Sequence, residues 1–209
     1  PIHKFTSQIV DYLVTIWKSV ILTRNGFFGI VLSLTPIGGL ALSLLLSSLI
    51  GPRLGMTDRE IAALNTTSVF IFFPFNLIGG WLSDRFSRRI ILGVAATMTI
   101  LPGLWMAAQF KAAGWAHPPA QLADGMWPRE DELIASWWIA VLTFQVFYAL
   151  CQGVKLALYM DIVNPKVAAT QFTAMMAFTS VVNLTAQTWQ GLSIDTENGW
   201  SWPIWKLLY

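Results

Sequence analysis

The stretch IAALNTTSVFIFFPFNLIGGWLSDRFSRRIILGVAATMTILPGLWMAAQF, Ile61–Phe110, reads as two long apolar runs joined by a short charged turn. Neither Ile61–Leu82 nor Ile90–Phe110 contains a charged residue. Each is long enough to cross the hydrocarbon core of a bilayer, which takes about 20 residues in a helix. In lipid every backbone N–H and C=O must be paired within its own segment, so runs of this kind predict helices.

The same pattern extends in both directions. Gly26–Ile50 is a first apolar span, closed by Gly51-Pro52. Thr57-Asp58-Arg59-Glu60 then has the spacing of a capping box, with Thr57 and Glu60 positioned to satisfy free amides at the start of the next helix. After Phe110 comes a polar loop, Lys111–Glu132, containing His117-Pro118-Pro119 and Pro128. A fourth span, Leu133–Ile162, is long enough to tilt or to project into water. Asn164-Pro165 turns the chain into a fifth, Val167–Ile194, and Asp195–Gly199 leads to an unfinished sixth, Trp200–Tyr209. Ahead of the first span, residues 1–24 place Ile9, Leu13, Ile16, Trp17 and Val20 at helical spacing among charges, which suits an interfacial amphipathic helix or a linker helix. The expected fold is all-α: a polytopic transmembrane helix bundle, one helix-bundle domain over residues 25–209.

Composition agrees. Hydrophobic residues make up 55% of the chain and charged residues 11%, against about a quarter charged in a soluble domain. A net charge of +2 gives no reason to expect a nucleic-acid partner. The one cysteine, Cys151, lies in an apolar run and excludes an internal disulfide framework. Pro1–Lys18 lacks the apolar core and cleavage site of a secretory signal, and both termini read as cuts in a longer protein.

Basic residues give an orientation. Lys4, Lys18, Arg24, Arg85, Arg88, Arg89 and Lys166 fall on one side, and most acids, including Asp58, Glu60, Asp124, Glu130, Asp131, Glu132, Asp195 and Glu197, on the other. Pro1–Asn25 and the Asp84–Arg89 turn are therefore expected to be cytoplasmic. Trp115, Trp127, Trp137, Trp138, Trp189, Trp200 and Trp202 fall near outer span ends, as an aromatic belt would.

The most specific local signal is Gly80-Trp81-Leu82-Ser83-Asp84-Arg85-Phe86-Ser87-Arg88-Arg89. A glycine here permits close helix approach, Asp84 suits the positive amino end of a helix, and the arginines suit headgroup anchoring. The turn resembles the signature of the major facilitator superfamily, Gly-x-Leu-(Ala/Ser)-Asp-Arg-x-Gly-Arg-(Arg/Lys), with Ser87 where that pattern has glycine. Leu158–Phe172, with its Asn164…Ala168-Ala169-Thr170-Gln171-Phe172 run, resembles the fourth-to-fifth helix junction in the second half of muropeptide permeases and acetyl-CoA transporters; Gly55-Met56-Thr57, Glu60-Ile61-Ala62 and Gly199-Trp200-Ser201 fall in matching places.

The resemblance implies the carboxyl-terminal half of such a transporter, from helix seven to the start of helix twelve, with the amino-terminal six-helix half as its partner. It implies an ion-coupled permease of a bacterial inner membrane. The solute would be small, polar or amphiphilic, and muropeptide-like, moved by alternating access with protons as a coupling ion. Gly80, Asp84, Arg85, Arg88 and Arg89 would form a conformational latch. One feature departs: Leu34-Thr35-Pro36-Ile37-Gly38-Gly39 has no ionisable group where those permeases carry Tyr-Lys-x-Gly-Asp; if that acid couples protons in the family, this chain couples elsewhere or differently.

Polar groups inside spans are costly in lipid and tend to face a cavity or a partner. Lys155, with Gln152 nearly one turn before it, either lines a solute or proton path or snorkels to the cytoplasmic interface. In the fifth span Ser180, Asn183, Gln187 and Gln190 form a stripe that either lines the same path or bonds between helices. Gln152, Lys155, Asn183 and Gln187 are the path candidates. Asn65 suits an interhelical hydrogen bond, and Gln171 a bond to the adjacent turn's backbone. Pro36 beside Gly38-Gly39 is the expected hinge, with Pro74 and Pro102 as further kinks; Gly39, Ser43 and Ser47 suit a helix interface.

No phosphate loop, dinucleotide glycine pattern, metal-spaced His/Cys cluster or nucleophile–histidine pair occurs, so no cofactor, metal or catalytic residue is expected. The competing readings are a membrane-embedded enzyme acting on a lipid or cell-wall precursor, for which Asp131 and Glu132 are the one hint, and a transporter-derived sensor.

Overall fold

The computed structural model describes residues 23–35, 44–115 and 128–194, together with Val14 and Lys18. Among these there is no strand. The helices are α1 (Arg24–Leu34), α2 (Leu44–Arg53), α3 (Asp58–Arg85), α4 (Arg88–Met98), α5 (Ile100–Ala112), α6 (Asp131–Ile162) and α7 (Ala168–Ile194), with a 3-10 turn at Pro165–Val167 before α7. The amphipathic segment 1–24, apart from its last residues, the Pro36/Gly38/Gly39 hinge, Gly39 and Ser43, and the unfinished sixth segment lie outside the described residues.

Among the described residues three stretches are long and apolar enough to cross a membrane: α3, α4 with α5 as Arg88–Ala112, and α6. The charge-free part of α3 runs from Ile61 to Ser83, and only 11% of its most apolar window is buried. Phe70 is 75% exposed, and Val69, Phe73, Leu77 and Trp81 are exposed with it. Apolar surface on that scale has no place in water and is what a helix presents to lipid or to another helix. Of the five complete spans expected, α7 has the length, 27 residues, but its threonines, glutamines, Asn183 and serines leave it outside the apolar set. Part of the first lies beyond description.

Local chemistry accounts for the helix ends. Thr23 caps α1 by accepting from Gly26 N at 3.0 Å. Thr57 and Glu60 close a complete capping box on α3, as their spacing predicts. α2 and α5 both end in a glycine at positive φ, Gly55 at 77° and Gly114 at 69°. At the first, Met56 N donates to Gly51 O and Gly55 N to Pro52 O; at the second, Trp115 N donates to Phe110 O and Gly114 N to Lys111 O. These paired bonds satisfy the last carbonyls of each helix. The third expected span is broken at Thr99, three residues before Pro102. Proline has no N–H for the carbonyl of Met98 and its ring crowds that oxygen, so the helix is interrupted there and restarts as α5.

The chain divides into two compact units. One contains α1, α6 from Lys155 onward and α7 to Thr185; the other contains α2 to α5 and α6 up to Val154. The second has a core of Ile50, Leu54, Leu64, Met106, Phe110, Trp115, Ile134, Trp137, Val141 and Phe144. Trp115 stacks on Phe110 at 4.9 Å between ring centroids, with Trp137 at 6.2 Å. This corrects the aromatic-belt expectation for Trp115 and Trp137: both are buried. Trp115 is the residue that follows Gly114 in the helix-ending motif, whose geometry folds it back onto Phe110. Trp189 is exposed.

Candidate functional site

The charged turn is built from the last turn of α3 and the first of α4. Arg88 Nη2 donates to Asp84 Oδ1 at 3.0 Å, closing an ion pair across the turn. Arg85 lies over the Trp81 ring, 5.9 Å from its centroid. Ser83, almost fully buried, donates to Gly80 O at 2.6 Å. Ser87 is the N-cap residue of α4 but makes no side-chain cap bond, so the carboxylate of Asp84 is the acid that pairs with this helix's first turn. Arg89 is exposed.

Close helix approach occurs here, but not through the expected glycine. A Cβ on Gly80 would meet nothing. A Cβ on Gly79 would sit 2.5 Å from Leu150 O and 2.9 Å from Leu150 Cα, and one on Gly153 would collide with Asn76 O and approach Gly80 N to 2.8 Å. Gly79 on α3 and Gly153 on α6 therefore let two backbones touch.

The path candidates separate. In the larger unit, Gln152 donates from Nε2 to the Tyr148 hydroxyl at 2.9 Å, and Tyr148 stacks on Phe144 at 5.6 Å. In the other unit Lys155 is 4% exposed, its ammonium 5.7 Å from the centroid of the Tyr159 ring. A lysine reaching for an interface would show its head group; Lys155 is instead enclosed. Tyr159 is itself fully buried. Its hydroxyl accepts from Ser33 Oγ at 2.9 Å and shares a 3.2 Å hydrogen bond with Thr179 Oγ1, while Phe172 meets its ring edge-on at 6.2 Å. Asn183 is half-buried on α7, and the Gln187 side chain lies outside the described residues.

Ser33, Lys155, Tyr159 and Thr179 thus bring α1, α6 and α7 to one buried polar cluster. Of these four, only Lys155 stands out in the sequence as a site residue. The Lys155–Tyr159 spacing of one turn was available as a signal; Ser33, 126 residues from Tyr159, offered none. Of the polar stripe, Ser180 is exposed and donates to Met176 O within α7. Gln171 behaves as expected: Asn164 N donates to its Oε1 at 2.8 Å. The Oδ1 of Asn65 is buried without a hydrogen-bond partner among the described residues.

The opposite end of α3 carries an ion-pair clamp that periodicity did not reveal. Arg129 grips Glu60 through two parallel bonds, Nη2 to Oε1 at 2.9 Å and Nη1 to Oε2 at 3.1 Å. Its Nε donates to Asp131 at 2.6 Å. Glu60 precedes the charge-free part of α3. The Arg129 hydrogen bonds, then the Thr57 N–H, hold its carboxyl down to about 2. Glu60 and then Asp131 push the Arg129 guanidinium upward in turn. No His, Cys, Asp and Glu group able to hold a metal ion occurs among the described residues. No family model, curated protein or solved structure matches the chain.

Proposed function

We propose that this chain is the carboxyl-terminal half of a secondary transporter of the major facilitator type. It moves a small polar or amphiphilic solute, muropeptide-like in character, with ion coupling. Its amino-terminal half supplies the other wall of the path, and its membrane is the bacterial inner membrane, with the Asp84 turn facing the cytoplasm. The observation that carries this reading is the Gly80–Arg89 turn. It joins α3 to the α4–α5 stretch, each of crossing length, and it carries a solvent-exposed ion pair, Asp84–Arg88, that can open and re-form at little cost. In alternating access two helical halves rock about a midplane site, and a turn of this kind latches one state. The enclosed Lys155 cluster, an ionisable group among buried side chains, supports a polar path.

Asp84→Asn in the full-length protein tests the latch. Solute uptake in cells should fall severalfold with membrane abundance near that of wild type; unchanged uptake removes the latch role. In the same assay Lys155→Ala should change the solute preference or pH profile, which a lysine with only a packing role would leave alone.

A further inference from the structure

Beyond transport, we propose that the Trp81–Ile90 turn is a docking surface for the phosphate headgroup of an anionic phospholipid in the leaflet it meets. Three observations converge. The first is charge: Arg85, Arg88 and Arg89 stand against one acid, Asp84, and that acid is engaged by Arg88 at 3.0 Å. The second is the frame. Leu77, Ile78 and Trp81 on α3 and Ile90 and Val94 on α4 are exposed apolar side chains that run up to the arginines from both helices, and Phe86 is exposed within the turn itself. An acidic soluble protein would match the charge but leave this apolar rim uncovered, whereas a lipid covers both with one molecule. The third is depth: Arg85 is held over Trp81, and tryptophan favours the headgroup level of a bilayer. Its planar guanidinium is thereby fixed at phosphate height, where it can donate two parallel bonds.

Headgroup binding of this kind requires α3 and α4 to lie in the bilayer and is independent of any transport activity. It is measured on the purified full-length protein reconstituted in phosphatidylcholine vesicles with spin-labelled phosphatidylglycerol or spin-labelled phosphatidylcholine, comparing the immobilised fractions. Wild type should prefer phosphatidylglycerol, and the preference should shrink as sodium chloride is raised. Arg85→Gln with Arg89→Gln should weaken it by about fivefold per arginine at low salt. Arg85→Lys with Arg89→Lys should retain most of it, and Lys111→Gln, at the far end of α5, should leave it intact. Equal retention of the two lipids by wild type would overturn the proposal, as would a preference that survives the double glutamine variant. Displacement by inorganic phosphate at an ionic strength where chloride has no effect would also overturn it, because the site would then be one for a free anion.

Discussion

At the scale of single residues, Glu60 answers two demands at once. It closes the capping box on α3 through the Thr57 N–H and hydroxyl, and it holds Arg129 from a loop 69 residues away. Its carboxyl is held down to about 2, below the ordinary value near 4.3 of an unfolded chain. A depressed carboxylate contributes stability that is complete above the unfolded value and disappears as pH falls through the folded one. The stability gap between wild type and Glu60→Gln, followed by thermal unfolding in detergent, should therefore be constant from about pH 8 to 5. It should close as pH is lowered from about 4.5 toward 2. The gap should amount to only a few degrees, because the pair is open to solvent and screened. Arg129→Gln should behave like Glu60→Gln, and the double variant should be no worse than either. A gap that persists unchanged at pH 2 would show that the carboxylate charge is not what matters. The capping half of this arrangement was legible in the sequence because it spans three residues. The Arg129 half was not, since nothing in a one-dimensional pattern brings a loop arginine onto a helix start.

Between elements, the decisive feature is the crossing of α3 and α6. Sequence offers the pair Gly79-Gly80 and the motif singles out Gly80, but one residue is 100° of helical phase, and the phase belongs to the packing. A side chain on Gly79 would point into α6 and one on Gly80 would not. Gly153→Ala and Gly79→Ala should force the two backbones apart, costing about 1–3 kcal/mol each and lowering the monodisperse fraction in size-exclusion chromatography. Gly80→Ala should leave that fraction unchanged. Equal behaviour of all three would mean the crossing does not depend on glycine. The same limit explains the buried cluster. Lys155 and Tyr159, one turn apart, are readable as neighbours, whereas Ser33 and Thr179 reach Tyr159 only through the packing of α1 and α7. Prolines illustrate the point from the other side. Pro74 leaves α3 continuous while Pro102 stands just beyond a break, and sequence treats them alike.

For the molecule as a whole, the testable content of the membrane reading is which ends of the helices share a side. If α3 crosses once, its capped start near Asp58 and the turn at Ser87 face opposite compartments; if α4 with α5 crosses back, Lys111 returns to the side of Asp58. Cys151 is the one cysteine of the chain and is buried, so single introduced cysteines should report with little background. In intact cells expressing the full-length protein, Asp58→Cys and Lys111→Cys should react together with a membrane-impermeant maleimide. Ser87→Cys should react only after the membrane is permeabilised, as the arginine-rich side is expected to be cytoplasmic. Reversed labelling would invert the orientation but keep the crossings. Labelling of all three positions from one side would mean that α3 and the α4–α5 pair do not traverse the bilayer, and their exposed phenylalanines, leucines and tryptophans would then need a protein partner rather than lipid to cover them.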